Sequence, residues 1–105
     1  MVVGIGIIDI YIAESRSLKD KRAVLRSVLK RTKNKFNISI AEIEEHDNWK
    51  MGRIGFSAVG NDRSFVNSKV DKVIQFIEHL NLAEVINSKI EISNVSEVMD
   101  GYAYE

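Results

Sequence analysis

Apolar positions along this chain follow two alternating periods, and their order lays out the architecture. The run V-V-G-I-G-I-I-D-I-Y-I, residues 2–12, is apolar on both faces of an extended backbone: Val3, Ile5 and Ile7 on one, Val2, Ile8, Ile10 and Ile12 on the other. A strand covered on both sides reads this way, as the central strand of a sheet does. Leu18, Leu25, Val28, Leu29 and Thr32 then recur at helical spacing, predicting a helix over residues 18–33 with that stripe inward. Ser17, three residues before Asp20, forms a capping pair at its start. Asn34 suits a left-handed stop, with Phe36 folding back onto the last turn.

A second strand is predicted over residues 37–45, guarded by Glu42, Glu44 and Glu45 as an edge strand would be. H-D-N-W-K-M is a connection of hairpin type leading to a third strand, residues 52–60. There Ile54, Phe56 and Ala58 alternate with Gly55, Ser57 and Val59. Asn61 or Asp62 caps a second helix, whose Val66, Val70, Val73, Ile74, Ile77 and Leu80 share one face and which Asn81 terminates. A last strand spans Lys89–Val95, with Ile90 and Ile92 inward. The order βαββαβ predicts an α+β fold of the ferredoxin-like kind: a four-stranded antiparallel sheet with two helices on one face. Right-handed crossovers place strands one and three in the centre, which are the most apolar ones, and strands two and four at the edges. The other sheet face is left open, and the two-sided first strand implies that something covers it. A homodimer through the sheet is expected, in competition with the chain's own tail folded across that face. Gly4 and Gly6 lie inside the first strand, away from any strand-to-helix turn, so they mark close packing on the backbone and not a phosphate loop.

Composition narrows this further. A chain of 105 residues with 45% hydrophobic and 29% charged content fits one globular domain, assigned to residues 1–95, with an acidic C-terminal tail at 96–105. The absence of Cys removes disulfides, thiolate nucleophiles and zinc-thiolate sites. The first apolar run is interrupted by Asp9 and is far short of the roughly 20 residues a membrane helix needs. A soluble, cytoplasmic protein without membrane association is expected.

Charge is where the chain is least ordinary. Fifteen basic and fifteen acidic residues cancel overall. Yet nine of the basic ones fall between Ser15 and Lys35 with Asp20 as the only acid, leaving six basic against fourteen acidic residues elsewhere. Arg22, Arg26, Lys30 and Lys33 form a stripe opposite the apolar face of the first helix, and Lys19 extends it. Such a stripe neutralises phosphates in a sequence-independent, salt-sensitive way; the bland alternative is a solvated helix face whose basic end complements the helix dipole. The run Glu44–Asp47 resembles a metal or acid/base cluster, but neighbouring strand residues point apart, so a solvated strand end is the better reading. Nothing has the signature of a nucleophile beside its base, and no catalytic residue, metal ligand or cofactor is assigned. Phe56 and Tyr11 are poor matches to the stacking aromatics of an RNA-recognition motif. Trp49, the single Trp, is either core or an exposed contact for a partner.

The segments S-L-K-D-K-R (17–22), F-N-I-S-I-A-E-I (36–43) and D-N-W (47–49), with the apolar third strand ending in N-D (61–62), resemble the bacterial YlxP-like family up to about Val95. That is a domain family of unknown function. The resemblance implies a ferredoxin-like fold. Because the family's genes commonly sit among those for translation initiation and ribosome maturation factors, it also implies a cytoplasmic role near ribosomal or other structured RNA. It supplies no catalytic residues. It adds Lys21 to Lys19 and Arg22 as candidate contacts and leaves Ser17 and Leu18 as cap and core.

Overall fold

The computed structural model describes residues 1–44 and 48–95. The elements are β1 (Val2–Tyr11), α1 (Leu18–Lys35), β2 (Ser39–Glu44), β3 (Met51–Gly60), α2 (Arg63–His79) and β4 (Glu84–Asn94). They form one antiparallel four-stranded sheet in the order β2-β3-β1-β4. The two most apolar strands are therefore central, as the pattern requires, and the topology is the ferredoxin-like split βαβ.

Both helices lie on one face. The even-numbered residues of β1 (Val2, Ile8, Ile10) and of β3 (Ile54, Phe56, Ala58) are buried there against Leu25 and Val28 of α1 and Val66, Val70, Val73, Ile74 and Ile77 of α2. Each large aliphatic side chain so buried contributes about 1.5–3 kcal/mol. Gly4 and Gly6 explain how close that packing is. A Cβ on Gly4 would fall 2.6 Å from Val66 Cγ1, and one on Gly6 would fall 2.4 Å from the ring of Phe56. Here the backbone of β1 itself is part of the core.

Element ends show what capping chemistry decided. The Ser17 hydroxyl accepts the Asp20 N–H (3.1 Å), while the Asp20 carboxylate accepts the N–H of Arg16 (3.0 Å), one residue outside the usual capping box. Asp62 caps α2 by accepting the Phe65 N–H at 2.9 Å. Asn81, at φ 56°, turns the chain after α2 as anticipated.

Several expectations are corrected. Asn34 does not end α1. The helix runs on to Lys35 and stops at extended Phe36, whose ring packs edge-on against Phe76 of α2 (5.5 Å, 84°). Leu18 is 40% exposed, and Lys21 takes the inward place expected of it, continuing the stripe Lys21–Leu25–Val28–Thr32. β2 begins at Ser39 instead of residue 37. β4 begins at Glu84, five residues earlier than its alternation suggests, because a register shift opposite Asp9/Ile10 hides the pattern there. Glu45 and the tail 96–105 lie outside the described residues.

The glycine contacts carry a test. Gly6→Ala forces the nearly buried Phe56 ring aside, so we expect a loss of about 1–3 kcal/mol in chemical denaturation. Gly55→Ala would bring a Cβ to 2.7 Å from the Cγ2 methyl of Ile43, a β-branched side chain stiff at χ1, so it should also destabilise, by about 1–3 kcal/mol.

Candidate nucleic-acid interface

α1 contacts β2, β3 and α2, and this packing turns its remaining surface outward. Lys19, Arg22, Arg26, Lys30 and Lys33 are all exposed on it. At 1.5 Å per residue, Lys19 to Lys33 spans about 21 Å. Among the described residues none of the five forms an ion pair, and the one acid of the helix, Asp20, is occupied at the cap. Unneutralised cations at one per turn make a surface suited to a run of phosphates. Lys33 and Lys35 in the last turn also sit favourably against the helix dipole.

Lys21 is different in kind. It is 3% exposed, and its ammonium donates to the carbonyl of Asn48 (3.3 Å). It belongs to a set of ties between the loop before α1 and the connection before β3. The Ser15 hydroxyl, 2% exposed, lies 2.7 Å from the carbonyl oxygen of Trp49 and 3.1 Å from that of Ser17. Ile12 N–H donates to the Lys50 carbonyl, and the Lys50 ammonium donates to that of Ala13, both at 2.7 Å. Asn48 Oδ1 accepts the Lys50 N–H at 2.8 Å. The S-L-K-D-K-R run and the N-W pair thus meet, and the start of the basic helix is fixed to the sheet. The place of Lys21 is that of an anchor within this network, inside the stripe and not on its outer face. Trp49 presents its side chain half-exposed at the same corner, while its carbonyl serves the tie.

The open sheet face has another character. Its single arginine, Arg53, is held by Asp9 in a bidentate pair (2.6 and 3.2 Å) and by Glu44. The bond to Asp9 raises the already high pKa of the guanidinium, and this cation is held in an ion pair, whereas Lys19, Arg22, Arg26, Lys30 and Lys33 form none among the described residues. Phe56 points under the helices and is unavailable for base stacking. Tyr11 lines a groove of about 580 Å³ together with Glu14, Glu78, Asn81 and Glu84, at the α2–β4 corner. That groove went unseen in the sequence because its residues come from two distant segments, 11–14 and 78–85. The Asn81 turn that shapes it was the single readable sign. Of the acidic run, Glu44 pairs with Arg53, and Glu45, His46 and Asp47 lie outside the described residues.

With this geometry in place, comparison with known proteins fixes the family. The family described as "Protein of unknown function (DUF503)" matches residues 3–90. The chain belongs to the DUF503 family. It is 38% identical over 77 residues to "Uncharacterized protein YlxP" of Bacillus subtilis (strain 168), covering 73% of this chain and 84% of that protein. Among solved structures, the crystal structure named "Putative Chlorite dismutase TA0507" superposes with a TM-score of 0.52 at 14% identity over 95% of this chain, which spans 48% of that one. The "De novo designed protein Foldit4" superposes with a TM-score of 0.50 at 12% identity, over 90% of this chain and 99% of that one. At these identities the likeness extends to the fold. Among the described residues of this DUF503 chain, no helix is long and apolar enough to cross a membrane, and no three His, Cys, Asp or Glu converge as metal ligands.

The tie network predicts the behaviour of a conservative change. Lys21→Met keeps the apolar stem and loses the bond to Asn48, so thermal or urea unfolding should show a loss of about 1–3 kcal/mol with the fold retained.

Proposed function

We propose that this domain is a non-enzymatic binder of ribosomal or other structured RNA, acting in the cytoplasm through the outward face of α1. The observation that carries the reading is the row Lys19, Arg22, Arg26, Lys30 and Lys33: exposed, aligned, and without a carboxylate partner among the described residues. Phosphates are the ligand such a row suits, because its charges recur about once per helical turn along one face. The tie through Ser15 and Lys21 supports the reading, since it holds the helix at a fixed angle to the sheet and pre-organises the row. Each exposed cation is far enough from the core that reversing its charge leaves packing untouched.

Arg22→Glu with Arg26→Glu is therefore expected to weaken binding to labelled ribosomal RNA at least about a hundredfold in a filter-binding or anisotropy assay. Its circular dichroism and melting temperature should stay close to those of the parent. Unchanged affinity in that variant would remove the reading.

A second reading follows from the open sheet face. Ile5, Ile43 and Val59 are 41%, 49% and 58% exposed there, beside half-buried Val3 and Ile7. Isolated apolar residues are ordinary on a surface, but a contiguous set on one sheet face is the mark of an interaction module. A second copy laid face to face covers it. Ile5→Lys with Val59→Lys dissociates such a dimer in light scattering and leaves RNA binding unchanged, whereas a dimer that persists in the variant excludes this contact.

A further inference from the structure

The two edges of the sheet are treated differently. β2 is six residues long, breaks register between Glu42 and Glu44, and carries both of those carboxylates. Those are the usual devices that keep an edge from pairing with another chain. β4 has eleven residues, and its segment Asn87–Asn94 runs in unbroken register with Val2–Asp9 of β1. Among the described residues nothing pairs with its outer side. It holds no Pro, and within that segment its charges are one lysine and one glutamate. Lys89 and Glu91 are 71% and 68% exposed, point to the open face opposite Ile7 and Ile5, and make only a 3.7 Å contact with each other.

We propose that this edge pairs with β4 of a second copy, about a two-fold axis through Ile90. Residues directly opposite in an antiparallel pair share a sheet face and stand about 5 Å apart. With the axis at Ile90, Lys89 lies opposite Glu91 of the second copy and Glu91 opposite its Lys89. Two ion pairs arise from one symmetry operation. Moving the axis one residue either way sets Lys89 against Lys89 or Glu91 against Glu91, so charge alone selects the register. Ser88 then faces Ile92, and Asn87 faces Ser93, with no clash of like charge in the ladder. The product is a continuous eight-stranded sheet with all four helices on one side. Because α1 packs over β2 and β3, its two basic faces sit at the far ends of this assembly. The proposal does not depend on the RNA reading.

The test is a charge cycle read by sedimentation equilibrium on the full chain. The parent should dimerise. Lys89→Glu and Glu91→Lys, each placing like charges across the axis, should weaken self-association at least about tenfold. An equimolar mixture of the two single variants should recover a heterodimer, and Lys89→Glu combined with Glu91→Lys should recover the homodimer. Exposed as they are, these positions should leave the circular dichroism spectrum unchanged. A monomeric parent, single variants that associate as tightly as the parent, or a dimer that Ile5→Lys with Val59→Lys takes apart would each overturn the proposal.

Discussion

The bare backbone of β1 at Gly4 and Gly6 is the constraint on which the rest of the structure hangs. Val66 and Val70 of α2 rest where a Cβ of Gly4 would be, and the Phe56 ring fills the place of one on Gly6. A side chain at either point would lift the helix or the ring off the sheet, in a core whose members are fully buried. Seating α2 this low over β1 and β3 commits the sheet order, and α1 is then left to cover β2 and the far side of β3. α1 is thus the helix with a broad outward surface near one edge, and it is also the helix that carries the positive charge.

That charge is shown to solvent by a division of labour within a six-residue run. Ser17 caps the helix, Asp20 closes the cap on Arg16, and Lys21 turns inward to the Asn48 carbonyl. Lys19 and Arg22, on the other side of the same turn, remain exposed. A buried lysine is tolerated because its long apolar stem lies along the core while its ammonium finds an oxygen. The run Ser17–Arg22 thus joins anchoring residues to surface cations. Its anchoring half has a physical explanation that needs no ligand.

The strand and helix periods were legible because each buried stripe is long and regular: Ile54, Phe56 and Ala58 on β3, and Val66 through Ile77 on α2, lie where their spacing put them. The close approach at Gly4 and Gly6 was legible too, since glycine inside an apolar strand has few other uses. What escaped was set by tertiary partners. Lys21 could not be told from its exposed neighbours without the carbonyl of Asn48, twenty-seven residues away. Leu18 looked apolar enough for the core, yet the apolar core of α1 begins about two turns later, at Val24 and Leu25. Asn34 had the right chemistry for a stop, but Phe36 found Phe76 and the helix continued. On the open face, Arg53 carried no sign in sequence that Asp9 and Glu44 would neutralise it. The exposure of the α1 cations, by contrast, followed from the stripe opposite them.

If α1 presents a phosphate-binding face, the salt dependence of the parent protein's RNA affinity must show it. Each phosphate neutralised on a single strand lowers the slope of log K against log salt by about 0.7, and on a duplex by about 0.9. If the five exposed cations all engage, the slope should be about −3.5 to −4.5. A measured slope in that range is the result this structure predicts. An affinity that does not change with salt, or no binding even at low ionic strength, would contradict it.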